Sequence, residues 1–397
     1  MSGEVAFVYA PELTAWRLAP DHPFKPERLA LLEDLLRTAG LLSDAEVRAP
    51  EPLEPGELTR VHDAEYVAMV ERVSRGERPS EALRYGLGTG DTPVADGLHE
   101  SVGRVCAATA TAVRLVADGE VRRAASFAGG LHHAMPGRAS GFCVYDDLAI
   151  GIRRALDRGL RVAYLDLDAH HGDGVQHVFY DSDQVLTISL HESGRYLFPG
   201  TGHTHEVGTG AGRGWSVNVP LEPFTEDDSY LEAFETVVPR ALEGFGPDLI
   251  LLQAGADPHR DDPLAHLALS LTGLRAVYRR VVELADTHAG GRLVVTGGGG
   301  YAAYDVVPRA WAHAWSALTG RPVPDPLPEP WRTRWGQRLG TTLPSAALDE
   351  ADLRPRPQRR RIESHNRAVA RRLVHVLEDI WAELGVGRTD ETREEPA

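Results

Sequence analysis

Short apolar, β-prone runs alternate with loops and helical patterns along most of this chain, and that alternation constrains the fold more than any other feature. The runs fall at 5–9, 124–128, 161–165, 185–191, 215–219, 248–254 and 292–296. Helical patterns are expected near 26–37, 98–117, 147–157, 226–242 and 271–286. Strand–loop–helix repetition of this kind predicts an α/β fold, a parallel sheet flanked by helices. The run 248–254 is so apolar that it should be buried on both faces. In such sheets ligands bind beyond the carboxyl ends of the strands. His132 and His133, the group Asp166, Asp168 and His170, then Phe198, Asp257 and Tyr301 all fall at or just after strand ends. A site assembled there is the expectation.

The densest of these stretches is 164–174, YLDLDAHHGDG. Alternate side chains of a strand point to the same face, so Asp166, Asp168 and His170 share a direction if the extended geometry persists. Two carboxylates and an imidazole in apolar surroundings repel or stay unsatisfied without a cation. Zinc or iron(II) suits that ligand set. Taken alone, the stretch could equally be an acidic strand end meeting solvent.

Composition removes several functions. The net charge is −16 and no basic cluster precedes residue 350, which argues against nucleic-acid binding. Cys106 and Cys143 are the only cysteines, too few for a disulfide framework or a CxxC zinc site, and Cys106 sits in an apolar helical pattern that reads as core. No apolar run reaches membrane-spanning length and the first residues lack a signal-peptide pattern, so no membrane association and a cytoplasmic location are expected. The glycines 297–300 lack the lysine of a P-loop and the spacing of GxGxxG, and read instead as a hinge that lets Tyr301 point over a site. Asp91 is the one carboxylate near the centre of a Gly/Pro-rich loop at 84–97, there for function or for the turn. Arg28 lies on the first helix, where position alone suggests a surface residue. One domain is expected over 1–325, a Pro/Arg-rich linker over 326–361, an amphipathic helix over 362–384 and a disordered tail over 385–397. The helix would dock on the main domain or bind a partner.

In combination, HPFKPER at 22–28, GGLHHAMPGRASGFC at 129–143, YLDLDAHHGDGVQ at 164–176, SLHESGRYLFPGTG at 189–202, QAGADPHRDDP at 253–263 and GGGGY at 297–301 resemble the histone deacetylase superfamily. The resemblance spans roughly residues 5–320 and is greatest to the bacterial, class I-like acetoin-utilisation-type deacetylases. It implies an arginase/deacetylase-like single-domain sheet and metal-dependent hydrolysis of acetyl-lysine in proteins or peptides. Zn2+, with Fe2+ as the alternative, would be held by Asp168, His170 and Asp257. His132 and His133 would pair with Asp166 and Asp173 as the catalytic imidazoles, and Tyr301 would stabilise the oxyanion. Gly141, Phe142 and Phe198 would form the acyl-lysine tunnel, with Leu264 at its mouth and Asp91 at the rim. Arg28 would face an internal acetate channel. K+ ions are implied near Asp166, Asp168, His170, Ser189 and Leu190, and near Phe179, Ser182, Val185 and Trp215. A cation beneath Asp166 would keep His132 neutral and leave His133 to carry the proton. Two other functions stay open: hydrolysis of acetylpolyamines or other small acetyl-amines, and non-catalytic acetyl-lysine binding. A ureohydrolase of the same broad fold would need more aspartates for two metals. The oligomeric state is not implied.

Overall fold

Val162–Asp166, Leu249–Gln253 and Leu293–Thr296 are buried at every residue, so the strands they form must be covered on both faces. They lie at the centre of one eight-stranded sheet in a computed structural model that describes residues 4–386 except Pro20 and 351–357. In chain order the strands are β1 (Val5–Val8), β2 (Val47–Arg48), β3 (Arg123–Ser126), β4 (Val162–Asp166), β5 (Val185–Glu192), β6 (Ser216–Leu221), β7 (Leu249–Gln253) and β8 (Leu293–Thr296). They are arranged β2-β1-β3-β8-β7-β4-β5-β6, with every pairing parallel. The two-residue β2 is the strand that the alternation does not reveal, because it is too short to carry a pattern.

The helices are α1 (Glu27–Thr38), α2 (Ala64–Ser74), α3 (Leu98–Ala117), α4 (Asp147–Leu156), α5 (Asp173–Phe179), α6 (Asp227–Phe245), α7 (Leu271–His288), α8 (Val307–Thr319), α9 (Glu329–Leu339) and α10 (Arg359–Glu383). One run of contacts joins α2, α3, α4 and α5; another joins α10, α6, α7, α8, α1 and α9. The large indoles are buried without losing their hydrogen bonds: Trp311 Nε1 donates to the Ala254 carbonyl at 2.9 Å and Trp315 Nε1 to that of Leu41 at 2.7 Å. Cys106 is fully buried in α3, as its pattern suggests.

Strands β7 and β4 are neighbours in the sheet, and the chain leaves them in opposite directions, from β7 toward β8 and from β4 toward β5. A crevice opens at the carboxyl ends of strands at such a switch point. The five strands whose ends carry the candidate residues, β3, β8, β7, β4 and β5, are neighbours there.

The stretch 326–361, expected as a linker, contains α9, whose Trp331 and Trp335 are buried against the body. Farther on, Asp349 accepts from His259 Nε2 at 2.7 Å and from the Leu271 amide at 2.8 Å. Tryptophans and one buried carboxylate anchor this stretch, features that its proline and arginine content conceals. Residues 351–357 of the basic segment, and 387–397 of the expected tail, lie outside the described residues. Helix α10 docks on α6 and covers the edge strand β6. Its fully buried Asn366 donates to Thr225 Oγ1 at 2.8 Å and Ser229 Oγ at 3.0 Å, and accepts from the Glu222 amide at 3.0 Å. Among the described residues no helix is long and apolar enough to cross a membrane.

Candidate active site

The extended geometry of β4 runs out at Asp166, and the residues beyond it turn into the crevice. Asp168, His170 and Asp257 converge there, with one ligand atom from each lying within 4.8 Å of the others. His170 Nδ1 is 3.1 Å from Asp168 Oδ1 and 2.9 Å from Asp257 Oδ2. The two aspartates are fully buried. Burial and the Asp168 charge push Asp257 up to about 8, although His170 pulls the other way. Two carboxylates share one imidazole, so both can ionise together only if further positive charge is present. That is the condition a divalent cation relieves, so the residues fit one.

The four-glycine run makes this approach possible. The Gly299 amide donates to Asp168 Oδ2 at 2.6 Å. A Cβ on Gly299 would overlap Asp257 Oδ2, so only glycine lets the backbone pass between these carboxylates. Gln253, at the end of β7, reaches Asp168 Oδ2 at 3.4 Å and the Gly130 carbonyl at 3.1 Å.

Adjacent histidines on the loop after β3 meet different carboxylates. His132 Nδ1 is 2.8 Å from Asp166 Oδ2, and His133 Nδ1 is 2.7 Å from Asp173 Oδ1 at the start of α5. Asp166 also accepts from the Tyr164 hydroxyl at 2.7 Å and the Asp168 amide at 3.0 Å. Burial lowers His132, but Asp166 and Asp168 outweigh it and lift the imidazole to about 9. For His133 burial dominates, the neighbouring His132 adds to it, and the group falls to about 4 despite Asp173. The two adjacent imidazoles are thus shifted in opposite directions, His132 up and His133 down. The physical reason is that Asp166 and Asp168 both face His132, and a cation beside those carboxylates would lower it. The loop is held from below by Asp147, which accepts from the Gly130 and Leu131 amides at 3.1 and 2.7 Å.

Aromatic rings gather beside the cluster. Ser140 and Cys143 exchange backbone hydrogen bonds of 3.0 and 2.8 Å around Gly141 (φ 51°) and Phe142 (φ 69°). Positive φ at both central residues is the I′ pattern, and Phe142 in that region costs about 1–3 kcal/mol. A Cβ on Gly141 would lie 2.5 Å from His133 Cδ2 and 2.8 Å from Phe198 Cε1. Phe198 is 45% exposed, and its ring centroid is 5.0 Å from that of His133. Phe142 packs edge-on against Tyr301 at 5.8 Å, and Tyr301 lies 6.4 Å from His170. The Tyr301 amide donates to Asp262 at 2.7 Å, and Asp262 also accepts from the amide of half-buried Leu264 at 2.9 Å. Burial raises the Tyr301 phenol, as do Asp257 and Asp168. Tyr304 lines a separate cleft with Lys25 and Glu27. Asp91 is exposed on its loop and adjoins His22, whose ring packs edge-on against Phe142 at 4.5 Å.

Arg28 is 5% exposed, not a surface residue. Its Nη1 donates to the Gly300 carbonyl at 2.9 Å and its guanidinium lies over Phe24 and Trp311 at 4.7 and 4.9 Å. With Trp16, His132, His133, Gly299 and Tyr301 it lines an internal cavity of about 20 Å³, room for roughly one water.

Of the residues implied for monovalent cations, Asp166 and Ser189 are register partners in β4 and β5, next to Leu190. Phe179 and Ser182 close a turn (amide to carbonyl 3.1 Å) leading into Val185, while the Trp215 carbonyl accepts from Thr187 at 2.8 Å. Sequence reasoning missed Tyr164, Gln253, Asp147 and His22. Each supports a site residue from a strand, helix or loop position that looks like ordinary core or turn; only the tyrosine in an otherwise aliphatic strand offered a signal.

Residues 22–318 match the histone deacetylase domain. The chain is 42% identical over 351 residues to the acetoin utilization protein AcuC of Bacillus subtilis (strain 168), covering 88% of this chain and 91% of that one. The protein of that name from Staphylococcus aureus (strain MRSA252) is 41% identical over 322 residues, 81% of this chain and 83% of its own. Among solved structures, an HDAC homolog complexed with SAHA superposes with a TM-score of 0.81 at 30% identity, covering 92% of this chain and 100% of that one. An HDAC homolog from Aquifex aeolicus gives 0.79 at 29% identity with the same coverage.

Proposed function

The chain belongs to the histone deacetylase family, and from that premise we propose that it hydrolyses acetyl-lysine in proteins or peptides to acetate and free lysine. The observation that carries this reading is the buried Asp168–His170–Asp257 cluster, with the rings of Phe142 and Phe198 packed against Tyr301 and His133 beside it. A passage flanked by two aromatic rings suits a linear alkyl stem, the shape of an acylated lysine side chain. Asp91, exposed at the rim, accepts amide N–H bonds from the peptide backbone, which a free polyamine does not offer.

Asp168, His170 and Asp257 would hold Zn2+ or Fe2+, which would supply Lewis-acid polarisation of the acyl oxygen and a lowered pKa for a water. His133 accepts the water's proton as the oxygen attacks the acyl carbon, then returns a proton to the leaving amine as the C–N bond breaks. Asp173 holds the His133 ring in the tautomer that leaves Nε2 free to do so. His132, fixed by Asp166, orients the water. The Tyr301 hydroxyl donates to the acyl oxygen as negative charge builds on it. Arg28, in the lining of the small cavity beside the two histidines, would face the leaving acetate. Asp166, Asp168, His170, Ser189 and Leu190 would hold K+, whose charge would disfavour a second positive charge on His132. A cytoplasmic location fits these substrates.

The test is turnover on acetyl-lysine peptides against acetylpolyamines, each with Zn2+ and with Fe2+. Higher kcat/KM on the peptides supports the reading; preference for the polyamines replaces it with a small-amine amidohydrolase.

A further inference from the structure

We propose that the cleft between the loop after β5 and helix α10 is a subsite for an acidic side chain of the acylated peptide, an inference that rests on the acetyl-lysine reading above. The cleft holds about 420 Å³ and brings together Arg195 from the loop, Arg372 from α10 and the imidazoles of His203, His205 and His365. Neither arginine has a carboxylate partner among the described residues. On the same helix, by contrast, Arg359 pairs with Glu363 and Asp228, and Arg367 with Glu232. Glu222 is the one carboxylate in the lining, and it already lies 3.5 Å from His365 Nε2. Two fixed positive charges therefore face a cleft whose single negative charge is engaged. The cleft thus offers an anion the forked donors of two guanidinium groups in a chain whose net charge is −16. A metal is not the better occupant: among the described residues, only Asp168, His170 and Asp257 bring three metal-capable side chains together.

Position ties the cleft to substrate. Ser193, in its lining, directly follows β5, and Phe198 lies five residues on in the same loop. The Tyr196 and Leu197 amides fold back on the Ser193 carbonyl at 2.9 and 3.2 Å. Even fully extended, that span measures at most about 17 Å, and the folded loop is shorter. An extended peptide advances about 3.4 Å per residue, so the acidic residue belongs within about five positions of the acetyl-lysine. The other wall is held in place by Asn366, one residue from His365.

The experiment scans Glu against Gln at each of five positions on either side of acetyl-lysine in a labelled peptide, with acetyl-lysine amide as a substrate too small to reach the cleft. In the native protein a Glu peptide should exceed its Gln partner by about fivefold in kcat/KM, mainly through KM and fading with added salt. Arg195→Gln with Arg372→Gln should erase that ratio while leaving the small amide unchanged. Arg195→Glu with Arg372→Glu should favour Lys at the same position. Equal kcat/KM for every Glu and Gln pair, or a preference that survives the double substitution, overturns the subsite. Fluorescence anisotropy reads binding separately from hydrolysis. Arginine-dependent binding of acidic peptides without hydrolysis would overturn the deacetylase reading and leave the cleft standing.

Discussion

The strand-end site and the α10-covered edge are built on opposite principles. At the site, charged groups are fully buried, glycine backbone passes between carboxylates and an aromatic residue sits at positive φ. Each departs from what stability alone would select. At the edge, Trp381 stacks on Trp215 with ring centroids 5.9 Å apart, its Nε1 donates to the Gly214 carbonyl at 3.0 Å, and Asn366 is satisfied at every polar atom. That region is ordinary, well-packed cover for an edge strand. Substitutions at the site should therefore cost turnover and little stability, and substitutions under α10 the reverse.

The sharpest break is Asp257→Ala. It removes one of two carboxylates from the cluster and should abolish both tight metal content and turnover, read by elemental analysis and assay of one preparation. Stoichiometric metal in that variant would place the ligands elsewhere.

Next in size is the contrast between the two histidines. His133→Ala should lose about 10²–10⁴-fold in turnover with metal retained, the range for a lost general acid–base. His132→Ala should lose distinctly less. Side-by-side assays decide it; a larger loss at His132 would reverse the roles. Tyr301→Phe should keep fold and metal and lose about 10²–10³-fold, the worth of one oxyanion donor. Tyr304→Phe should be near neutral, since Tyr304 faces the cleft with Lys25 and Glu27.

Smaller effects sharpen the comparison. Phe198→Ala should weaken straight-chain hydroxamate inhibitors by about 1–3 kcal/mol through lost apolar contact, with an unchanged melting temperature. Asn366→Ala should do the opposite. Leaving buried Thr225 and Ser229 hydroxyls and the Glu222 amide without their partner costs about 1–3 kcal/mol of stability, seen in denaturant unfolding, while turnover of acetyl-lysine amide stays native.

The two regions also differ in how much their sequences disclose. Strand ends were legible because hydrophobic runs mark strands and Asp168, His170, Asp257 and Tyr301 follow them at once. The α10 stripe was legible from its period, and the helix extends only a few residues beyond the expected start. Long-range supports were not: nothing near Asp349 in sequence says that it meets His259, 90 residues away. Arg28 was misjudged from helix position alone, because its burial depends on Trp311 and Gly300 arriving from the far end of the chain. Phe142 at positive φ is invisible to any propensity, since the turn around it is fixed by the Ser140–Cys143 pairing and by Gly141.

The central claim is that one divalent cation in the Asp168–His170–Asp257 cluster makes this chain an acetyl-lysine hydrolase. The direct test is titration of metal-stripped protein with Zn2+ or Fe2+ while acetate release from an acetyl-lysine peptide is followed. The account predicts no turnover in the stripped protein and a rise that ends at one equivalent of metal. Full turnover without metal, or none with either ion at saturation, would contradict it.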